Sequence, residues 1–229
     1  MIKKVNKISV EDLAKFCKSK GFVYQSGEIY GGLGGFWDYG HLGVELKKNI
    51  RDSWWRYHVH GRDDVVGIDG AIITNPKVWE ASGHVGSFVD VAVECKKCKN
   101  KTKIDKHEVG KVKCEKCGGE FENKGEFNPM FTTQVGPVKE DSILSYLRPE
   151  TAQLIFANFK LVSDNSRLQL PYGIAQIGKS FRNEISPREF LFRCREFEQM
   201  EIEYFIEDKM KCPYVKDCKG ISVLVYNEE

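Results

Sequence analysis

The stretch Gly178–Ile206, GKSFRNEISPREFLFRCREFEQMEIEYFI, reads as two β-strands joined by a long charged loop. Apolar and polar side chains alternate along its second half, which is typical of a strand with one face on a core and one polar face. The apolar face carries Met200, Ile202, Tyr204 and Ile206, and the other face carries Gln199, Glu201 and Glu203 with Phe197 and Phe205. This period of two predicts a β-hairpin.

The first strand of this hairpin adds arginine and carboxylate to the same polar surface. Ile177 and Phe181 point one way, and Ser180, Arg182 and Glu184 point the other. Arg182, Arg188, Arg193 and Arg195 fall within fourteen residues, so their charges repel one another unless an anion lies among them. Guanidinium groups suit phosphate oxygens, and an aromatic face suits a base. An amphipathic hairpin with a solvated outer face is the alternative, and the density of arginine argues against it.

Three parts of the hairpin match a known pattern: Phe181-Arg182-Asn183-Glu184, Arg193-x-Arg195-Glu196-Phe197 and Glu201-Ile202-Glu203. They resemble the second signature motif of class II aminoacyl-tRNA synthetases. The sequence FRNEISPR followed by REFEQMEIEYF resembles that of the glycyl-tRNA synthetases of the homodimeric, archaeal/eukaryotic-like type. The glycine-rich run IYGGLGGFWDYG is similar to the same family, except that His41 stands where a proline usually follows.

This resemblance implies an α+β fold, with an antiparallel class II sheet flanked by helices and interrupted by a zinc ribbon. It implies a ligase that joins glycine to tRNA(Gly) through glycyl-adenylate, using ATP with Mg²⁺, in a homodimer. A non-catalytic binding protein on a synthetase-like core and a zinc-ribbon RNA-binding module are the alternatives. Together Arg182, Glu184, Glu150 and Glu201 argue against both, because binding or scaffolding alone does not need them.

The resemblance also assigns site residues. The ATP-binding set is Arg182, Asn183, Glu184, Phe192, Arg193, Arg195 and Phe197. The glycine-binding set is Glu150, Phe197, Gln199 and Glu201. Within these sets the α-phosphate is assigned to Arg182, the outer phosphates to Arg193, and stacking on adenine to Phe197.

Two cysteine pairs carry the clearest metal signature. Cys95-x-x-Cys98 and Cys114-x-x-Cys117 are fifteen residues apart, inside the spacing range of four-cysteine zinc ribbons. Four thiolates close a tetrahedral site and leave no position for water, so the spacing predicts structural Zn²⁺. Nine lysines between the outer cysteines allow RNA contact, although a solvated surface is the more ordinary explanation. Cys212 and Cys218 lack such spacing and are expected to be unpaired thiols.

Other segments give local predictions. Gly27–Gly40 is expected to be a tightly turned structural loop. Helical spacing predicts a helix over Leu42–Val59, and Asp64–Thr74 is expected to be one buried strand. In the resembling family this helix and strand form the dimer interface, and ordinary core packing is an equally good explanation of them.

Three shorter motifs need a choice between structure and chemistry. Leu147–Gln153 is expected to begin a helix with Pro149 near its first position, and the resemblance assigns Glu150 there to the amino group of glycine. His84 is expected to be structural. Gly173–Ser180 fits the phosphate-loop pattern GxxxxGK[ST], but its apolar interior predicts a strand instead.

Composition sets the remaining limits. The 229 residues carry a net charge of +2, so contact with nucleic acid is expected to be local. No secretory signal or bilayer-spanning run is evident, and the cysteine usage predicts a cytoplasmic protein without membrane contact. The predicted domains are residues 1–92 (first part of the core), 93–125 (zinc ribbon), 126–208 (core with the second motif) and 209–229 (start of a further segment). Because no third class II motif follows Ile206, the chain alone is not expected to charge tRNA.

Overall fold

The computed structural model describes residues 8–187 and 190–207. Within these ranges there are five α-helices and eleven strands. The helices are α1 (Val10–Ser19), α2 (His41–Trp55), α3 (Pro76–Ala81), α4 (His84–Ser87) and α5 (Ala152–Ser166). The strands are β1 (Val23–Gln25), β2 (Trp37–Tyr39), β3 (Val65–Ile68), β4 (Ile73–Thr74), β5 (Asp90–Cys95), β6 (Lys101–Ile104), β7 (Phe121–Phe127), β8 (Thr132–Val135), β9 (Ile143–Leu147), β10 (Tyr172–Phe181) and β11 (Glu196–Phe205).

The predicted hairpin is the longest strand pair of the described residues. β10 and β11 are antiparallel over ten residue pairs, from Tyr172 opposite Phe205 to Phe181 opposite Glu196. On its other edge β10 pairs with β3 in parallel, which gives the strand order β11-β10-β3. The α+β prediction with antiparallel sheets is confirmed, and the parallel pair with β3 is an addition to it.

Each face of this sheet is covered by one helical segment. On one face the side chains of Val65, Ala175 and Ile202 pack against Trp54 and Trp55 of α2. On the other face Ile155 and Phe159 of α5 pack with Tyr172, Ile174 and Phe205. Because α5 covers only the end of the sheet near Phe205, the polar residues nearer the loop remain available for a site.

The helix predicted over Leu42–Val59 is confirmed, as α2 runs straight into a π-helical turn at Arg56–His60. The single strand predicted over Asp64–Thr74 is wrong. This segment forms β3 and β4, which belong to different sheets. The extended segment is interrupted between these two strands at Gly70, whose carbonyl accepts a 2.6 Å hydrogen bond from Nη1 of Arg148.

The helix start predicted at Pro149 is also wrong. α5 begins at Ala152, with Thr151 as its N-cap residue. The carbonyl of Pro149 instead accepts a 3.1 Å hydrogen bond from Nε of Arg182. The turn before α5 is therefore used to bring the helix start to the arginine of the hairpin loop.

The remaining described strands form three small sheets: β1-β2, β4-β9-β8 and β6-β5-β7. The glycine-rich segment is the turned loop of the β1-β2 hairpin, as predicted, with positive φ at Gly27, Gly31, Gly32 and Gly35. The phosphate-loop pattern of Gly173–Ser180 lies inside β10, so its assignment to a strand is confirmed.

None of the described helices combines the length and apolarity needed to cross a bilayer. Arg188, Cys212, Cys218 and the predicted segment 209–229 lie outside the described residues.

Candidate functional site

The candidate site lies on the polar face of the β10–β11 hairpin. The register places Ser180 opposite Phe197, Gly178 opposite Gln199, and Gln176 opposite Glu201. These side chains therefore project from the same face, beside the start of α5. The hydroxyl of Ser180 is fully buried and donates to Oε1 of Gln199 at 2.9 Å, which holds the glutamine amide in place.

Gly178 has a steric role in this face. A Cβ at this position would overlap Nη2 of Arg148, which is itself buried. Nε of Arg148 donates to the carbonyl of Lys179 at 2.7 Å. Burial lowers the pKa of Arg148, yet a guanidinium remains charged. Glycine is thus required here so that a cation can lie against the strand.

Two acidic residues from distant parts of the chain meet at the start of α5. The hydroxyl of Thr151 donates a short hydrogen bond to Oε2 of Glu201. Glu150, the preceding residue, accepts from Nε2 of Gln153 at 2.5 Å and lies 3.4 Å from Nε2 of His84. The carboxylates predicted to bind the amino group of glycine are therefore brought to one place.

Arg182 lies between this acidic group and an aromatic pair. Its Nη2 is 3.6 Å from Oε2 of Glu150. Its guanidinium carbon is 5.4 Å from the ring centroid of Phe197 and 5.9 Å from that of Phe88. A half-exposed guanidinium beside partly exposed aromatic rings has the chemistry to bind a phosphate and a base together.

The local field at this end of the sheet is acidic. Burial raises the pKa of Glu203, and the charges of Glu201 and Glu150 raise it further. Several carboxylates that share so small a volume repel one another, and a bound cation relieves that repulsion. This group of carboxylates therefore favours a small cationic group such as an ammonium.

Arg195, one of the predicted ATP residues, contacts three backbone carbonyl groups. Its Nε donates to the carbonyl of Glu184 at 3.0 Å, and its Nη1 donates to the carbonyl of Gly34 at 2.8 Å. Its own backbone N–H donates to the carbonyl of Gly35. Arg195 therefore ties the glycine-rich loop to the hairpin loop. Its assignment to ATP stays a prediction, while its visible contacts are structural.

The other predicted ATP residues lie on or near the hairpin loop. Phe192 is 71% exposed, and Arg193 and Asn183 are also exposed. Glu184 is largely buried, with Oε2 at 3.5 Å from Nζ of Lys103 in β6. The structure thus brings Arg182, Phe197, Gln199, Glu201 and Glu150 together, and leaves Phe192 and Arg193 facing solvent.

The four cysteines of the predicted metal site converge at the end of the β6-β5-β7 sheet. Their sulfur atoms all lie within 4.8 Å of one another. Cys95 Sγ is 3.4 Å from Cys117 Sγ, and Cys98 Sγ is 3.7 Å from Cys114 Sγ. Sulfur ligands about 2.3 Å from a tetrahedral Zn²⁺ are separated by about 3.8 Å. The donor set and its spacing therefore fit a zinc ion.

Backbone groups around the sulfur atoms support this fit. The N–H groups of Cys98 and Lys97 lower the pKa of Cys95 to about 6. The N–H of Gly119 acts in the same direction on Cys117, but the hydrogen bonds that the Cys117 thiol donates to the sulfur atoms of Cys98 and Cys95 outweigh it and raise that pKa to about 12. At least one sulfur is thus prepared as the thiolate that a metal requires.

The ribbon also contacts the hairpin loop. The hydroxyl of Ser186 donates to the carbonyl of Lys101 at 2.6 Å. Nζ of Lys103 joins Glu184 of the loop to Asp90 of β5, at 3.5 Å and 2.9 Å. The ribbon therefore packs against the segment that carries the predicted ATP residues.

A cavity of about 390 Å³ lies on the opposite face of the sheet, between α2 and β11. Leu46, Ile50 and Met200 contribute to its apolar lining. Neither the paired carboxylates Glu150 and Glu201 nor Arg182 line it. Phe197 of the candidate site does line it, so the cavity adjoins the site at this residue.

Several residues of the site were not predicted. Thr151, Ser180 and Gln176 are fully buried, and His84 contacts Glu150 although it was expected to be only structural. Glu203 was part of the matched motif but was not assigned to the site. The strand alternation could have indicated Glu203, Ser180 and Gln176, since they share a face with Glu201. No sequence signal connects His84 with Glu150.

Comparison with known proteins gives a consistent result. No protein-family model matches the chain. The chain is 49% identical over 205 residues to a glycine–tRNA ligase of Treponema denticola and 51% identical over 204 residues to one of Borreliella burgdorferi. A glycine–tRNA ligase of Thermobifida fusca is 49% identical over 214 residues. The chain is similar to glycine–tRNA ligases.

These alignments cover 86–88% of the chain and 46% of each relative. The chain thus spans about half the length of the curated relatives it matches. The relatives are bacterial, so the archaeal/eukaryotic-like type stays a prediction. Among solved structures, the RNA-binding domain of threonyl-tRNA synthetase from Cryptosporidium parvum matches with a TM-score of 0.49 and 20% identity, over 76% of this chain and 32% of that one.

Proposed function

We propose that this protein joins glycine to tRNA(Gly) through a glycyl-adenylate intermediate made from ATP. The observation that carries the proposal is the meeting of Arg182, Phe197, Glu150 and Glu201 on one face of the hairpin. A guanidinium beside an aromatic ring suits a nucleotide, and the carboxylates suit an ammonium. The similarity to glycine–tRNA ligases, with 49% and 51% sequence identity, supports the same assignment.

In this proposal the nucleotide lies along the hairpin loop. Arg182 binds the α-phosphate, Phe197 stacks on adenine, and Glu184 accepts from the adenine amino group. Arg193, exposed on the loop, binds the outer phosphates. Asn183, Phe192 and Arg195 complete the proposed ATP set, with Arg195 acting through the backbone contacts described above. Mg²⁺ bound with ATP would share the charge of the outer phosphates.

Glycine is proposed to bind with its ammonium between Glu150 and Glu201, beside Gln199 and Phe197. The charges of the two carboxylates bind the ammonium group, so the site needs only steric overlap to exclude the side chain of a larger amino acid. A methyl group in a pocket is discriminated by only about 1–3 kcal/mol, so tight walls are needed against alanine. The buried bonds of Thr151 to Glu201 and of Ser180 to Gln199 provide stiff walls of this kind.

The proposed chemistry needs no protein nucleophile. One oxygen of the glycine carboxylate attacks the α-phosphorus, the bond to the bridging oxygen breaks, and pyrophosphate leaves. The arginines hold the reactants in line and stabilise the charge that develops on the phosphate oxygens. The ribose hydroxyl at the 3′ end of tRNA(Gly) then displaces AMP from the carbonyl carbon.

Cys95, Cys98, Cys114 and Cys117 would hold one structural Zn²⁺ in this proposal. Four thiolates leave no open position for water, so the metal stabilises the ribbon and takes no part in the reaction. Homodimerisation through α2 is proposed because Leu42, Val44, Leu46 and Ile50 are each 43–52% exposed. Such apolar exposure on one helix is typical of an interface. The predicted cytoplasmic location belongs to the same proposal.

Glycine-dependent ATP–pyrophosphate exchange tests the function, and the intact protein for this experiment is one that carries this chain together with a third class II motif. We expect exchange with glycine and none with alanine at the same concentration. Glu150→Gln is expected to reduce exchange by about tenfold or more, because a hydrogen bond to a charged group is worth about 1.5–3 kcal/mol. Glu11→Gln, an exposed glutamate in the first turn of α1, is the matched control. Wild-type protein without glycine-dependent exchange would overturn the proposal.

A further inference from the structure

We infer that His84 is a positioning residue, which fixes the carboxylate of Glu150 for the ammonium of the amino acid. This inference rests on the proposed function and extends it to a residue outside the matched motifs. Nε2 of His84 is 3.4 Å from Oε1 of Glu150, and its side chain is only 14% exposed.

The imidazole is held firmly in place. It packs edge-on to Trp79 at 5.4 Å between ring centroids and lies 5.3 Å from Phe88 on its other side. Trp79 is fully buried. The side-chain amide of Asn128 donates to the backbone carbonyl of His84 at 2.8 Å. The ring therefore has little freedom to turn away from Glu150.

The hydrogen bond at the other ring nitrogen, Nδ1, determines whether Nε2 carries a proton that it can donate. Nδ1 of His84 is 2.9 Å from the hydroxyl of Ser82, which also lies 3.3 Å from the carbonyl of Trp79. If the hydroxyl donates to Nδ1, the neutral ring carries its proton on Nε2 and donates to Glu150. If the hydroxyl donates to the carbonyl, Nδ1 must donate to the hydroxyl, and only the charged ring can also donate to Glu150. A donor therefore reaches the carboxylate from the neutral ring in the first arrangement and from the charged ring in the second.

The two carboxylate oxygens of Glu150 have different neighbours. Oε1 faces His84 and accepts the 2.5 Å hydrogen bond from Gln153. Oε2 faces Arg182 across 3.6 Å, toward the open part of the site. Because Oε1 faces two protein donors, Oε2 is the oxygen left for an ammonium once Arg182 is engaged by phosphate. Loss of the His84 donor would let the carboxylate rotate and would weaken amino-acid binding without affecting the nucleotide.

Two substitutions separate this role from plain packing. His84→Phe keeps an aromatic ring between Trp79 and Phe88 but removes the donor. His84→Gln keeps a donor but removes the ring. We expect His84→Phe to raise the KM for glycine about tenfold and to leave the KM for ATP within about twofold, and His84→Gln to stay within about threefold of wild type for both.

The experiment is pyrophosphate exchange by the intact protein at varied glycine and ATP, with thermal melting of each variant. The effect of His84→Phe on glycine should disappear in a Glu150→Gln background, because the two residues act as one unit. Unchanged glycine KM in His84→Phe, or an equal loss in both backgrounds, would overturn the inference. If His84→Phe does not fold, Ser82→Ala decides: a glycine KM raised about threefold supports the inference and an unchanged one overturns it. Wild-type protein without glycine-dependent exchange would instead refute the proposed function, so the two failures are distinguishable.

Discussion

The four-cysteine ribbon and the candidate site on the β10–β11 hairpin are assembled over very different distances along the chain. All four sulfur ligands of the ribbon come from Cys95 to Cys117, in two turns with their own backbone hydrogen bonds. The site draws on α4, the start of α5 and both strands of the hairpin. The ribbon depends on local turns, whereas the site depends on the tertiary fold.

The two regions also differ in the contacts that hold their ligand-binding residues in place. In the ribbon, a residue with positive φ follows each cysteine pair, at Lys99 and Gly118, and closes the turn. In the site, every predicted ligand-binding carboxylate is held by a group from elsewhere, such as Thr151 for Glu201. A local substitution should therefore abolish the metal site, while substitutions in the hairpin should act through several elements.

The largest effect is expected from breaking the ribbon. Purified chain should contain about one zinc ion, and Cys95→Ser/Cys114→Ser should contain almost none. Structural zinc sites bind with an apparent free energy of about 10–16 kcal/mol in small peptides, and two missing thiolates remove half of the ligands. Elemental analysis measures the zinc content. Equal zinc in the double mutant would contradict the assignment to these four cysteines.

The second effect contrasts two arginines of the hairpin. Arg182→Lys is expected to reduce glycine-dependent exchange by about 10²–10³, since lysine keeps the charge but lacks the planar forked donor that is positioned for the transition state. Arg195→Lys is expected to lower the melting temperature instead, because the two carbonyls of Glu184 and Gly34 lose a forked donor. Exchange rates and melting curves of both variants separate these outcomes. A purely catalytic defect in Arg195→Lys would show that its visible contacts are not its main role.

A third effect concerns glycine binding. Glu201→Gln should weaken binding of a non-hydrolysable glycyl-adenylate analogue by about 1.5–3 kcal/mol, the value of a hydrogen bond to a charged group. Calorimetry with the intact protein measures it, and Glu11→Gln serves as the exposed control. Unchanged affinity would assign Glu201 to structure alone, through its bond with Thr151.

A smaller effect is expected where the two regions touch. Nζ of Lys103 bridges Asp90 and Glu184. Lys103→Ala should raise the KM for ATP by about fivefold at most, because a partly exposed ion pair is worth about 0–1 kcal/mol. Lys116→Ala, a lysine on the second cysteine turn, is the control. An effect as large as that of Arg182→Lys would mean that the ribbon and the site are one functional unit.

The smallest effect is expected at the far end of β11, outside both regions. Asp64 accepts from Nε and Nη2 of Arg62 and from the hydroxyl of Tyr204, at 2.6–2.8 Å. The bonds from Arg62, and then that from Tyr204, lower its pKa from 3.8 to about 2. A lowered pKa stabilises the fold above the ordinary pKa and loses that effect as the pH falls toward 2.

Asp64→Asn should therefore lower the free energy of unfolding by about 1 kcal/mol or less at pH 7, given the partial exposure of the pair. The difference from wild type should shrink between about pH 4 and pH 2. Denaturant unfolding at several pH values measures this. A difference that grows as the pH falls would contradict the assignment of the charged form to the fold.

The features that were predictable from sequence are those with a local cause. The alternation of apolar and polar side chains along Phe197–Phe205 was enough to predict the hairpin and its polar face, because side chains in a strand alternate between its two faces. Cysteine spacing was enough to bring four sulfurs together. The apolar interior of Gly173–Ser180 was enough to reject a phosphate loop, since β10 has no turn there.

The features that were not predictable depend on where distant segments meet. The break between β3 and β4 comes from the bond between Gly70 and Arg148, and the late start of α5 accompanies the bond between Pro149 and Arg182. Neither partner is near in sequence. The same reason hid the contact of His84 with Glu150 and the use of Arg195 by the glycine-rich loop.

Arg148 has a consequence for how this part of the molecule opens to solvent. Its buried guanidinium is bound to the carbonyls of Gly70 and Lys179, and its own carbonyl accepts from the N–H of Phe181. A cation that cannot lose its charge is costly to leave buried without its acceptors. The end of β9, the link after β3 and the end of β10 should therefore exchange their amide hydrogens as one cooperative unit, with a single opening free energy.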